Sequence, residues 1–141
     1  MARLTRTLVT ALLPLLLFAG CAKPLCPVGM DQDLARSKSG HMVFCRAHGD
    51  AGRALWIQFY DGGGRRQACP FLAGRPGGLY QAWHKNGSRW LEGRYESGLK
   101  TGRWAQWDDG GHPVANGEYR EGALVQGAPV AAPAICESVT W

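Results

Sequence analysis

Five cysteines and four histidines carry the most specific chemistry available to this 141-residue chain. Cys26, Cys45, Cys69 and Cys136 form an even set, the arrangement that gives disulfides in a small exported domain. Three pairings are possible, and the favoured one is Cys26–Cys45 with Cys69–Cys136. The first closes a short N-terminal loop, and such a closure contributes roughly 3 kcal/mol through chain entropy. The second ties the C-terminal tail back to the middle of the chain. There is no Cys-x-x-Cys and no histidine pair at ligand spacing, so no metal is expected. His41, His48, His84 and His112 are scattered. Ser37, Ser39, Ser88, Ser97 and Ser138 lack a nucleophile elbow. Asp108-Asp109 resembles an acid pair but heads a glycine turn, where aspartate bonds to its own backbone. Gly62–Gly64 lacks the Gly-Lys-Ser/Thr ending of a phosphate loop. The expectation is a non-enzymatic protein with no cofactor and no small-molecule substrate.

The fifth cysteine has a different context. Arg3 and Arg6 form a basic head, residues 8–19 carry no charge, and Phe18-Ala19-Gly20-Cys21 follows. This three-part plan is that of a cleaved secretory leader. The apolar run holds Pro14 and is shorter than the roughly 20 residues of a spanning helix. The segment resembles a bacterial lipoprotein signal, with Phe18 three places before the cysteine where leucine is usual. The resemblance implies lipidation of Cys21, removal of residues 1–20 and anchoring by acyl chains, with two or more needed for stable attachment. Ala22, in place of an aspartate, implies an outer-membrane destination and a folded part outside the cytoplasm.

The chain from Cys21 onward suffices for one small domain. The formal charge is +5, and loss of Arg3 and Arg6 with the leader lowers it by two. A nucleic-acid binder usually shows a dense basic stripe. Arg65-Arg66 is the only adjacent basic pair here, and the expected compartment is wrong for nucleic acid.

Stepping the chain against itself by 24 residues brings units 54–77, 78–101 and 102–125 into register. One aromatic column holds Trp56, Tyr80 and Trp104, and a second holds Phe59, Trp83 and Trp107. A third holds Phe71, Tyr95 and Tyr119. Glycine columns hold Gly63, Gly87 and Gly111, then Gly74, Gly98 and Gly122. Each unit reads as a β-hairpin, with Asn86-Gly87 predicting a tight turn whose two central residues both need positive φ. The first two aromatic columns lie three residues apart. Alternation puts them on opposite faces unless a bulge intervenes, and the spacing leaves both arrangements open. Gly93 and Gly117 share a face with Tyr95 and Tyr119, which leaves room for a neighbouring ring to lie flat. This predicts a ladder of rings between successive units.

Gly102 to Gly122 reads Gly-x-Trp-x-x-Trp-x-x-x-Gly-x-x-x-x-x-Gly-x-Tyr-x-x-Gly, and Gly78 to Gly98 follows it with Tyr80 in place of the first tryptophan. This pattern resembles the bacterial variant of the MORN repeat. The resemblance implies an elongated all-β antiparallel meander of hairpins and non-enzymatic roles: scaffolding, protein binding, membrane association, or an antitoxin-like immunity function. Unit one departs from the pattern at Ala54 and Cys69-Pro70-Phe71, which suggests a modified cap with proline on an edge. Residues 21–53 show no periodicity and read as an irregular, disulfide-closed segment with one short strand at Met42–Phe44. Residues 126–134 read as a linker, followed by an edge strand with Val139 and Trp141.

Tryptophan, tyrosine and arginine dominate binding hot spots. Trp90 stands outside the repeated columns, opposite in face to Tyr95 under plain alternation, with Arg89 beside it. Trp90, Arg89, Trp83 and Trp107 are therefore the candidate binding residues. The functional expectation is a lipid-anchored cell-envelope protein that binds a protein partner, with toxin neutralisation as the alternative.

Overall fold

The computed structural model describes residues 25–37, 40–131 and 136, and side chains within that range except at 33–41. Cys21, the leader and the expected strand with Val139 and Trp141 lie outside the described residues. The described chain is all-β. The strands are β1 (Met30–Ser37), β2 (Gly40–Ala47), β3 (Arg53–Phe59), β4 (Arg65–Leu72), β5 (Arg75–Pro76), β6 (Gly78–Trp83), β7 (Arg89–Glu96), β8 (Leu99–Trp107), β9 (Pro113–Arg120) and β10 (Ala123–Gly127). They form one antiparallel sheet in the order β1-β2-β3-β4-β6-β7-β8-β9-β10, with the short β5 paired to β4. Apart from the short β5, each strand pairs with the next long strand in sequence, so the sheet is a meander stabilised mainly by local pairings.

Four sequence expectations are corrected. Residues 30–37 and 40–47 pair as two antiparallel strands, Met30 opposite Ala47 through Ser37 opposite Gly40. Unit one is consequently not a cap: β3 pairs with β2 on one side and β4 on the other. β2 lacks the glycine columns that mark the units, and it becomes a strand because it pairs with β3. Pro70 is also inside the sheet, opposite Leu55. It sits where β4 leaves β6 and turns to β5, so its missing N–H removes no bond from a continuous ladder.

The turns are the third correction. At His84–Ser88 the Gly87 N–H donates to His84 O (2.9 Å) and His84 N–H to Ser88 O (2.8 Å). Gly87 alone takes positive φ (88°), while Asn86 stays on the ordinary side and its Oδ1 accepts from the Ser88 N–H (2.9 Å). The two-residue turns with both φ positive lie instead after the return strand of each unit, at Ala73-Gly74, Ser97-Gly98 and Glu121-Gly122. There they match the right-handed twist of the flanking strands.

The fourth correction concerns residues 126–134. Gln126 and Gly127 belong to β10, and Val130 and Cys136 beyond it pack into the buried cluster on the sheet. Val130 is buried, its N–H donates to the Tyr119 hydroxyl (2.9 Å), and its carbonyl accepts from Lys100 Nζ (2.8 Å). Cys136 is buried and bonded to Cys69 on β4. The other disulfide joins Cys26 to Cys45 on β2. The sheet is thus held from both ends, one covalent tie on each face.

Candidate binding face

The two first-strand aromatic columns face opposite ways. Trp56, Tyr80 and Trp104 join Phe71, Tyr95 and Tyr119 in one buried cluster that includes Val130, Cys69 and Cys136. Within it Tyr80 stacks on Trp104 (centroids 5.8 Å, interplanar 23°), while Tyr95 and Tyr119 meet Trp104 edge-on at 5.0 and 6.3 Å. Lys100 Nζ lies 4.9 Å from the centroids of both Trp104 and Tyr119, a cation held over two ring faces. The expected ring ladder is present, and the glycine beside Tyr95 explains it. A side-chain carbon on Gly93 would collide with Trp104 Cδ2, Cε2 and Cε3, so the indole lies directly on the backbone of β7.

Three buried polar side chains on this face bond to one another, while the Trp56 Nε1–H is buried without a partner among the described residues. Gln67 Nε2 donates to Gln58 Oε1 (2.8 Å), and the Tyr80 hydroxyl donates to Gln67 Oε1 (2.9 Å). Burial raises the Tyr80 phenol far above its ordinary pKa, the nearby Tyr95 phenol adds to the rise, and Arg66 partly opposes it. A neutral hydroxyl locked to a buried amide is a structural donor.

Among the described residues, the opposite face is covered at one end only. Val43, Cys45, Ile57, Phe59 and Ala68 form a second cluster, sealed by Cys26 and with Met30, Leu55 and Trp83 packed against it. Along the second aromatic column, Phe59 is 8 % exposed and buried, whereas Trp83 and Trp107 are half-buried. Nothing among the described N-terminal residues joins that cluster beyond Trp83.

Register gives the layout around these two tryptophans. Trp83 is opposite Arg89, and Trp107 is opposite Pro113. One row further along, Gln81 faces Glu92, Glu92 faces Ala105, and Ala105 faces Asn116. Residues directly opposite one another share a face, so these side chains form one surface. Arg89 Nη1 donates to Glu92 Oε2 (2.6 Å), and Gln81 Nε2 donates to the same oxygen (2.8 Å). A hollow of about 410 Å³ adjoins this row, lined in part by Leu79, Glu92, Arg94, Thr101 and Arg103. It opens where the β7–β8 register shifts between Glu92 and Arg94.

Trp90 occupies a different place from the one alternation predicts. The register breaks between Ala82/Leu91 and Trp83/Arg89, which leaves Trp90 as the extra residue of a β-bulge. The same break recurs at Gln58/Phe59 and Gln106/Trp107, where Arg66 and Val114 are the extra residues. The bulge swings Trp90 to the Tyr95 side. It packs half-buried against the ladder cluster, 6.1 Å from the His84 ring. Of the four candidate residues, Trp83, Arg89 and Trp107 therefore share the open face and Trp90 does not. Gln81, Glu92 and Asn116 complete that face and were not singled out from the sequence. Alternation from Trp83 and Trp107 would have found Gln81 and Ala105. Glu92 and Asn116 needed the cross-strand register.

The histidines do separate structural work. His84 Nε2 donates to Trp107 O (2.9 Å), as the Tyr60 hydroxyl does to Trp83 O (2.9 Å), clipping each turn to the next. His112 and His48 pair with Asp108 and Asp31. The His112 N–H donates to Asp108 Oδ1 (2.8 Å), the main cause that holds the Asp108 carboxyl below its ordinary pKa. Asp108 is thus a turn cap, as its position before the glycines predicts. Compared with known proteins, the chain matches no family model, no curated protein and no solved structure.

Proposed function

We propose that this chain is a non-enzymatic binding protein of the cell envelope, tethered by acyl chains on Cys21 and built from MORN-variant hairpins. Its ligand lies on the face that carries Trp83, Arg89 and Trp107. One observation supports this above all. Two chemically similar aromatic columns run along the sheet, and one is buried by the C-terminal segment while the other keeps two half-exposed tryptophans. A partly exposed tryptophan pair beside an arginine is the composition of a binding hot spot. His48, His84 and His112, with Asp31 and Asp108, are engaged in turns and clips, which fits a role in recognition.

The test compares envelope retention of an unanchored Cys21→Ser chain with that of the same chain carrying Trp83→Ala and Trp107→Ala. The expected result is that the Cys21→Ser chain stays with washed envelopes and the triple variant is released, both remaining folded by circular dichroism. Equal release of the two would sink the assignment of this face. Radiolabelled palmitate incorporation that is insensitive to Cys21→Ser would sink the anchor.

A further inference from the structure

We infer that the open face is a glycan platform, and that its ligand is an extended, neutral β-1,4-linked polysaccharide chain; the inference rests on the binding face proposed above. Three features of the surface carry it. The first is spacing. Trp83 on β6 and Trp107 on β8 flank β7, so their backbones stand two inter-strand steps apart, about 10 Å. Both project from the same face at equivalent positions in consecutive hairpins. An extended β-1,4-linked glycan turns alternate sugars through half a rotation. Every second sugar therefore presents the same flat C–H face, at a repeat close to the two inter-strand steps that separate the backbones of Trp83 and Trp107. An α-1,4-linked chain coils and cannot meet both rings in this way.

The second feature is charge. Among the described residues, the charged side chains between the tryptophans are Arg89 and Glu92, and they pair at 2.6 Å. Arg103, one row further out, faces Glu118. Between the tryptophans, where the two charges pair, the surface offers little to an anionic polymer or a lipid headgroup and suits a neutral ligand. The third is the hydrogen-bonding inventory. Gln81 and Arg89 both donate to Glu92 Oε2, and no side-chain bond engages Gln81 Oε1, Glu92 Oε1 or the Asn116 amide among the described residues. Planar amide, carboxylate and guanidinium groups, held by one another and with unused lone pairs and N–H groups, match the paired donor and acceptor character of vicinal hydroxyls. Ala105, between Glu92 and Asn116, adds only a methyl group to the row beside the tryptophans. The hollow beside Glu92 and Arg94 lies on the same face, to one side of the line between the two tryptophans.

The probe is chitohexaose, with maltohexaose as the α-linked control, titrated into the purified full chain and read by tryptophan fluorescence. Chitohexaose is expected to bind and maltohexaose not to. Added salt should leave the affinity unchanged, since no net charge is matched. Trp107→Ala should weaken binding about 30-fold, the cost of one hot-spot side chain, with the fold intact because Trp107 belongs to neither buried cluster. Glu92→Gln should weaken binding by freeing Arg89, and it separates a polar role from stacking. Absence of chitohexaose binding, while envelope retention still depends on Trp83 and Trp107, overturns the glycan and points to a protein occupant of a valid face. Chitohexaose binding that survives Trp107→Ala and Trp83→Ala overturns this placement. If retention and glycan binding both ignore the tryptophans, the face itself fails.

Discussion

Substituting Gly93 tests whether the aromatic ladder holds the sheet together. Trp104 is fully buried, and its indole rests on the Gly93 backbone. A methyl group there lies within 2.5 Å of Trp104 Cε3 and closer still to two other ring atoms. The indole cannot slide aside cheaply. Its Nε1–H donates to Arg94 O (3.2 Å), Tyr80 stacks on one face, Tyr95 and Tyr119 meet it edge-on, and Lys100 lies over it. Mild overpacking costs about 1–3 kcal/mol. Expelling an indole from its site costs what truncating it costs, about 3–5 kcal/mol. Because a carbon cannot approach aromatic atoms this closely, Gly93→Ala should fall in the upper range, near 3–5 kcal/mol. That is a large part of the 5–15 kcal/mol typical of a whole domain.

The assay is urea unfolding with disulfides intact, followed by fluorescence and by far-ultraviolet circular dichroism to check two-state behaviour. Gly64→Ala is the control, since a methyl group there has nothing within 4 Å and the backbone is not left-handed. It should change stability by less than about 0.5 kcal/mol. The double variant Gly93→Ala/Trp104→Ala should cost much less than the sum of the two singles, because the second change removes the ring that the first collides with. A cost below about 1 kcal/mol for Gly93→Ala, or additivity within the roughly 0.5 kcal/mol expected of independent sites, would refute the reasoning.

Two further outcomes follow from the core and its ties. Removing the Cys26–Cys45 bond, which spans 19 residues, should cost about 3 kcal/mol, and removing Cys69–Cys136, which spans 67, about 4 kcal/mol by chain entropy alone. Paired cysteine-to-alanine variants compared by thermal unfolding check this order, and the second variant should also expose tryptophan to acrylamide quenching. The buried Tyr80 phenol is raised above its ordinary pKa of 10.0, so its contribution is full below pH 10 and is lost as the pH climbs beyond it. Wild-type stability measured at rising alkaline pH should therefore fall more steeply than that of Tyr80→Phe. At neutral pH the variant should cost about 1–3 kcal/mol, because Gln67 Oε1 loses its buried donor.

The hairpin meander was readable from the chain because its determinants are local. Turn glycines recur at fixed offsets, and aromatic strands return at a spacing of 24 residues. The ring ladder was readable as well, because Gly93 stands two residues from Tyr95 on one face. The β1–β2 hairpin was missed because β2 has no periodic signal, and its alternation of Val43 and Cys45 against Met42 and Phe44 gains meaning only when β3 pairs with it. Trp90 was misplaced because a bulge resets alternation by one residue, and a bulge is a property of two strands rather than one. The open face was only partly legible: Trp83, Arg89 and Trp107 stood out by type, whereas Gln81, Glu92 and Asn116 joined them through cross-strand register.

By itself, then, the amino-acid order determined the periodic strands, the turn positions, the ring columns and the favoured disulfide pairing. Only the tertiary structure decided which aromatic column is covered. That outcome depends on a C-terminal segment folding back onto Tyr119 and Cys69 and an N-terminal segment pinned to Cys45. Both contacts join residues distant in sequence, and burial of a surface is fixed by what lies over it in space, which no local periodicity encodes.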